Sequence, residues 1–124
     1  MKLHLTGAGG VNLFTAYGEG YVSVNNRRIG KSVVVLPDRI VADWSPPGFD
    51  SLTAAHVQEL AGLGAEIVLL GTGSRLRFPP REITRPLVEA GIGLEVMDLR
   101  AACRTYNILV SEERKVAAAL LFDR

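Results

Sequence analysis

A glycine-rich segment, Gly71-Thr72-Gly73-Ser74, directly follows an apolar run and is the first candidate for a binding site. Open α/β sheets usually bind ligands outside the carboxyl ends of their strands, and small residues let backbone N–H groups approach an anion. The segment has no GxGxxG pattern and no Walker lysine, and Pro79-Pro80 separates it from the next predicted helix. Two interpretations remain: a tight turn beneath a crossover, or a site for a small anion.

Four arginines follow the glycine segment closely: Arg75, Arg77, Arg81 and Arg85. Glu82 is the one acidic residue among positions 75–85, so four positive charges meet one negative charge and the local balance is +3. Arginine is suited to bidentate contact with carboxylates and phosphates. The cluster is interpreted as a solvated loop, as a surface for an acidic protein partner, or as one wall of an anion site over the glycine segment.

Five further residues are candidates on local grounds: Trp44, Asp98, Cys103, Arg104 and Asn107. Asp98 begins a predicted helix, where it serves either as an N-cap or as a catalytic carboxylate. Cys103 lies on the apolar face of that helix, as a core residue or a nucleophile. Arg104 and Asn107 share the opposite stripe and are expected to be exposed. Trp44 is either a core anchor or the rim of a recognition surface.

Patterns typical of most enzymes are missing from the sequence. His4 and His56 are the only histidines, and no local motif connects either of them with Cys103. No paired carboxylates, nucleophile elbow or metal-ligand spacing is present, and a single cysteine excludes an intramolecular disulfide. We therefore expect no catalytic residue, no metal and no cofactor, and favour a non-catalytic protein over an enzyme. A site assembled from distant residues stays open.

The secondary structure predicted to position these residues changes after Trp44, from consecutive strands to alternating helices and strands. Alternating apolar residues before Trp44 predict a four-strand antiparallel meander, with strands at 11–17, 21–24, 31–36 and 39–44. After Ser45-Pro46-Pro47-Gly48 the pattern predicts strands at 66–70, 93–97 and 116–122, joined by right-handed crossovers. The meander followed by β-α-β-α-β indicates an α/β fold.

Three helices are predicted between these later strands. The first is capped by Thr53 and ends near Gly62 or Gly64. The second begins at Thr84, which keeps Pro86 in the first turn, and ends at Gly91. The third follows Asp98 and has the clearest amphipathic pattern, with its apolar face formed by Leu99, Ala102, Cys103, Tyr106 and Val110.

Length and charge limit the classes of protein that remain. The chain has 124 residues, 48% of them apolar, which fits a single domain spanning 1–124. A net charge of +1 argues against a broad electrostatic grip on nucleic acid. The longest apolar run, 116–122, is far shorter than the roughly 20 residues of a membrane span. With no secretory signal and one cysteine, we expect a cytoplasmic protein.

Four segments together resemble a known family: 68–73, 91–98, the Ala-Cys-x-Thr-Tyr-Asn helix around 101–109, and 116–121. The family has no assigned function, and it includes a mitochondrial assembly factor of respiratory complex I and many short prokaryotic proteins. The resemblance implies a three-layer α/β fold around a mixed central sheet. For the mitochondrial member it implies a non-catalytic role with protein partners. Leu99 departs from the family pattern, which usually has threonine there.

We therefore expect a non-catalytic interaction or assembly module that contacts a protein partner through Gly71, Thr72, Gly73, Ser74, Arg75, Arg77 and Arg81. The alternative is a small anionic-ligand binding protein or enzyme that uses the Gly71–Ser74 loop, with Asp98 or Cys103 for chemistry. Homo-oligomerisation stays open.

Overall fold

The computed structural model describes residues 10–123. Within this range the chain forms eight strands, three α-helices and a short 3₁₀ helix at Phe49–Ser51. The strands are β1 (Phe14–Gly18), β2 (Tyr21–Val24), β3 (Arg27–Ile29), β4 (Val33–Leu36), β5 (Arg39–Val41), β6 (Ile67–Gly71), β7 (Gly93–Met97) and β8 (Val116–Leu120). The α-helices are α1 (Ala54–Ala61), α2 (Arg81–Glu89) and α3 (Leu99–Ser111).

The described strands divide between two sheets. A central sheet has the order β5-β4-β8-β6-β7, in which β6 runs parallel to both β7 and β8, while β4 is antiparallel to β5 and β8. A smaller sheet contains β1, β2 and β3, all antiparallel. The α/β class with a mixed central sheet is therefore confirmed.

The central sheet is the middle of three layers because alternate residues of its strands face two different cores. On one face, Val35 and Leu69 pack with α3 and the small sheet. On the other, Val34 and Leu70 pack with α1 and α2. Burial on both faces explains why β4 and β8 are continuous apolar runs rather than alternating ones.

Residues 10–44 contain five strands rather than the four expected, and they do not form one meander. The missed strand is Arg27–Ile29, which pairs with β2 through a turn at Asn25 and Asn26, both at positive φ. The strands β4 and β5 belong to the central sheet because β4 pairs with β8 near the far end of the chain. The last of the five strands ends at Val41, so Trp44 lies in a loop.

The helix predictions hold at α1 and α3 and fail at the start of α2. Thr53 caps α1 through a capping box with His56, and all five residues of the predicted α3 face are buried. In contrast, α2 begins at Arg81, three residues before the expected Thr84. Pro86 therefore lies inside the helix, where its missing N–H leaves the carbonyl of Glu82 without its usual helical donor.

Candidate functional site

The glycine segment lies where the parallel strands of the central sheet end, beside the start of α3. Backbone hydrogen bonds continue the contact between these two segments past the ends of β6 and β7. The Thr72 N–H donates to the Met97 carbonyl at 2.9 Å, and the Leu99 N–H donates to the Gly73 carbonyl at 2.8 Å. Because the Thr72 N–H is used in this pairing, it is not available to a bound anion.

The Thr72 side chain fixes the loop that follows. It is almost fully buried, and its hydroxyl donates to the Arg75 carbonyl at 2.7 Å and accepts from the Arg77 N–H at 3.2 Å. Gly71 is equally constrained, because a Cβ there would come within 2.8 Å of the Leu120 side chain. Both features restrict the backbone between the end of β6 and Arg77.

A carboxylate of the chain itself, that of Asp123, lies on the glycine segment. Asp123 Oδ1 accepts a hydrogen bond from the Ser74 N–H at 3.2 Å. Gly73 has φ +95, and a Cβ there would collide with Asp123 Oδ1. Hydrogen bonds from Ser74, with a smaller effect from the charges of Arg77 and Arg75, lower the pKa of the Asp123 carboxyl. An external anion would have to displace this carboxylate.

Arg77 is held by the body of the protein. Its guanidinium stacks over the Phe49 ring at 4.4 Å, and Nη1 lies 3.7 Å from Asp50 Oδ1. Its Nε is buried and has no hydrogen-bond partner among residues 10–123. Arg77 lines a polar cleft of about 390 Å³ together with Phe49, Asp50, Ser74 and Asp123.

Arg75 and Arg81, in contrast, are exposed, and two apolar side chains lie exposed between them. Leu76 is 48% exposed and Phe78 is 71% exposed. We call Arg75, Leu76, Phe78 and Arg81 the basic-apolar segment. It continues along one face of α2, since Arg85 and the exposed Val88 follow Arg81 at helical spacing.

Sequence reasoning identified the arginines of this segment but missed Leu76 and Phe78. The signal was present as an Arg-Leu-Arg-Phe alternation before Pro79-Pro80. Asp123 was also missed, since nothing in the sequence links it with a loop 49 residues earlier.

Asp98 and Cys103 have the environments of structural residues. The Asp98 carboxylate accepts the Ala101 N–H at 2.9 Å and so caps α3. Asp98 also borders a cleft of about 550 Å³, shared with Ser74, Arg100 and Asp123. Cys103 is fully buried in the core, and its burial raises the pKa of the thiol to about 12. The structure therefore does not bring Cys103 to this cleft.

The expected exposure of the outer stripe of α3 holds for Arg104 and is wrong for Asn107. Asn107 is half-buried because its amide bridges α3 to the small sheet. Its Oδ1 accepts the Phe14 N–H and its Nδ2 donates to the Phe14 carbonyl, each at 2.9 Å. Arg104 contacts Tyr17, whose hydrogen bond raises the pKa of the guanidinium.

Trp44 lies in the core, and its indole N–H donates to the His56 carbonyl at 2.9 Å. His4, the other histidine, lies outside the described residues. In residues 10–123, no group of three or more acidic, histidine or cysteine side chains is placed to hold a metal ion. None of the helices in this range is both long enough and apolar enough to cross a membrane.

Comparison with known proteins gives a consistent set of relatives. A family model described as a protein of unknown function (DUF498/DUF598) matches residues 14–121. The chain is 33% identical over 110 residues to NADH dehydrogenase [ubiquinone] 1 alpha subcomplex assembly factor 3 of Danio rerio, covering 86% of this chain and 62% of that one. It is 35% identical over 71 residues to the 13 kDa major membrane protein of Francisella tularensis, covering 57% of this chain and 58% of that one.

Among solved structures, a Bordetella parapertussis protein is 43% identical, with a TM-score of 0.86. That match covers 94% of this chain and all of the other. By contrast, the chain spans only about three fifths of the length of the two curated relatives.

Proposed function

The chain belongs to the DUF498/DUF598 family of proteins of unknown function, and we propose that it is a non-catalytic interaction module that assists the assembly of a protein complex. Relatives named as assembly factors of NADH dehydrogenase support this role. The observation that carries the proposal is the exposure of Leu76 and Phe78 between exposed arginines. The basic-apolar segment is the surface that contacts the partner.

This surface has the composition of a binding hot spot. Aromatic and arginine side chains dominate the energy of many protein interfaces, and clustered exposed apolar side chains mark interaction sites more often than isolated ones do. Phe78 is 71% exposed, so a partner that covers it gains apolar burial that the free protein lacks.

The segment is also held in place before any partner binds. The buried Thr72 hydroxyl bonds to the backbone at Arg75 and Arg77, and Arg77 stacks on Phe49. A loop that is ordered in advance loses less entropy on binding. The complementary partner surface combines apolar residues with carboxylates, which would pair with Arg75 and Arg81.

The test is co-purification of the tagged protein from its own cells after mild cross-linking, quantified by mass spectrometry. Phe78→Ser removes the apolar contact, and Arg75→Glu/Arg81→Glu reverses the charges. Arg27→Glu/Lys31→Glu is the matched control, because it makes the same charge change at two exposed positions of the front half. We expect each segment variant to lower recovery of a specific partner by about ten-fold or more, while the control retains it.

Retention of every specific partner by both segment variants would reject this surface. Recovery of no specific partner by the wild-type chain would reject the interaction function itself. Circular dichroism of each variant checks that the fold is intact. Arg77 is left unchanged, because its contacts with Phe49 and Asp50 also stabilise the loop. The alternative of an anionic ligand on Gly71–Ser74 is disfavoured by the Asp123 carboxylate already bound there.

A further inference from the structure

A third cleft lies at the opposite end of the central sheet, where β6 and β8 begin. It has a volume of about 660 Å³, within the range of about 300–1,000 Å³ that is typical of small-molecule sites. Its walls come from the β4–β5 turn, the α1–β6 loop and the α3–β8 loop. The basic-apolar segment contributes nothing to it.

The floor of this cleft is apolar and is part of the protein core. The central sheet ends here, so the cleft reaches the line where its two cores meet. Val110 and Val116 belong to the core on the α3 side, and Leu36 and Ala65 belong to the core on the α1 side. The partly buried Val11 and Leu63 complete the floor. An alkyl or aryl group lying there would extend the packing of both cores.

The rim of the cleft is charged, and its lining residues include both cations and acids. Arg39, Arg114 and Lys115 lie at the rim with two acids, Asp38 and Glu113. The Arg39 guanidinium is held in place, because Nη1 donates to Asp38 at 3.1 Å and Nη2 donates to the Leu63 carbonyl at 2.7 Å.

Arg114 is positioned in the same way from the neighbouring loop. Its Nε donates to Glu66 Oε1 at 2.9 Å, and this bond lowers the pKa of Glu66. A guanidinium has five N–H donors, so this bond uses one of them. The backbone of Lys115 is fixed as well, since its carbonyl accepts from the Glu66 N–H at 2.8 Å.

An apolar floor lies beneath a rim that offers the exposed Lys115 and the remaining N–H donors of Arg114. We propose that this cleft binds a small amphipathic carboxylate, with its hydrocarbon part on the floor and its carboxylate at Arg114 and Lys115. The proposal is independent of the basic-apolar segment, which lies at the opposite end of the central sheet.

The test is a titration of the ¹⁵N-labelled full chain with octanoate, below its micelle concentration, followed by amide chemical shifts. Octan-1-ol and octylamine have the same chain length with a neutral or a cationic head group. We expect octanoate to shift the amides of residues 36, 38–39, 63–65 and 113–116, and to leave residues 75–78 unchanged. Lys115→Glu should weaken octanoate binding about five-fold, and the matched control Lys31→Glu should not change it.

Three results would overturn the proposal: no saturable shifts with octanoate, equal affinity for octanol or octylamine, or shifts centred on Leu76 and Phe78. The variants also distinguish partner binding from octanoate binding. Phe78→Ser should retain octanoate binding, and Lys115→Glu should retain the protein partner, so the failure of one proposal leaves the other standing.

Discussion

The Asp123 carboxylate bears directly on how the glycine segment Gly71–Ser74 is interpreted. A glycine-rich turn after a buried strand is the usual place for an anion, and here the anion is the carboxylate of Asp123. Gly73 is needed for this contact, because its φ of +95 and the closeness of Asp123 both exclude a side chain. Asp123, at the C-terminal end of the described residues, therefore stabilises this loop.

The stabilisation by Asp123 should depend on pH. Hydrogen bonds from Ser74 and the charges of Arg77 and Arg75 lower the pKa of Asp123 below its ordinary 3.8. The ionised carboxylate thus stabilises the fold above this ordinary value, and the contribution is lost as the pH falls through the lower folded-state pKa. Asp123→Asn should therefore reduce the free energy of unfolding more at about pH 7 than at about pH 3 in urea titrations.

The control for this prediction is Asp43→Asn, which removes the same charge at an exposed turn. Its effect on the free energy of unfolding should be small at both pH values. If Asp123→Asn changes stability by the same amount at both pH values, the carboxylate is not ionised against the loop as described.

Among the elements, those set by local residues were predictable and those set by distant pairing were not. Asp98 caps α3 and Thr53 caps α1, as their side chains indicate, and β7 has the expected limits, Gly93–Met97. The position of β4 in the central sheet depends on its pairing with β8, where Val35 lies opposite Ala118. No local pattern contains that information.

The same distinction between local residues and distant contacts applies to the candidate site. The position of the glycine segment at a strand end was predictable from the apolar run before it. The contacts that define its role, Asp123 on Ser74 and Phe49 under Arg77, join segments far apart in the chain. Asn107 was expected to be exposed because its helical stripe is polar, yet β1 of the small sheet contacts Asn107 while Arg104 on the same stripe is exposed.

The interior proline of α2 leads to a prediction at the scale of the element. Pro86 removes the helical hydrogen bond to Glu82, which costs about 3 kcal/mol in a helix interior relative to alanine, offset by about 1 kcal/mol through its restriction of the unfolded chain. Pro86→Ala should therefore raise the free energy of unfolding by about 2 kcal/mol. Urea unfolding measures the change.

Pro79→Ala is the comparison, since Pro79 lies in the irregular segment just before the helix. It should leave stability unchanged or lower it by up to about 1 kcal/mol. A loss of stability in Pro86→Ala would show that packing of the half-buried proline ring outweighs the missing hydrogen bond.

At the scale of the whole molecule, α3 joins the two sheets. Its inner face packs on the central sheet, while Tyr106 and Asn107 hold the small sheet. The Tyr106 hydroxyl donates to the Asn12 carbonyl at 2.9 Å, and its ring meets Phe14 edge-on at 5.0 Å. If residues 10–123 form one domain, as predicted, the two sheets should unfold together.

Asn107→Ala tests whether the two sheets unfold cooperatively. The substitution removes two hydrogen bonds to the Phe14 backbone and leaves its N–H and carbonyl without partners, which should cost about 2–3 kcal/mol of unfolding free energy. Ile108→Ala, one residue along the same helix at a 57% exposed position, should change stability by no more than about 0.5 kcal/mol. If the sheets unfold together, Asn107→Ala shifts a single urea transition, and amides of β2 and β6 exchange faster by the same free energy. If β2 alone loses protection, or the transition splits in two, the small sheet unfolds on its own and the single-domain interpretation is wrong.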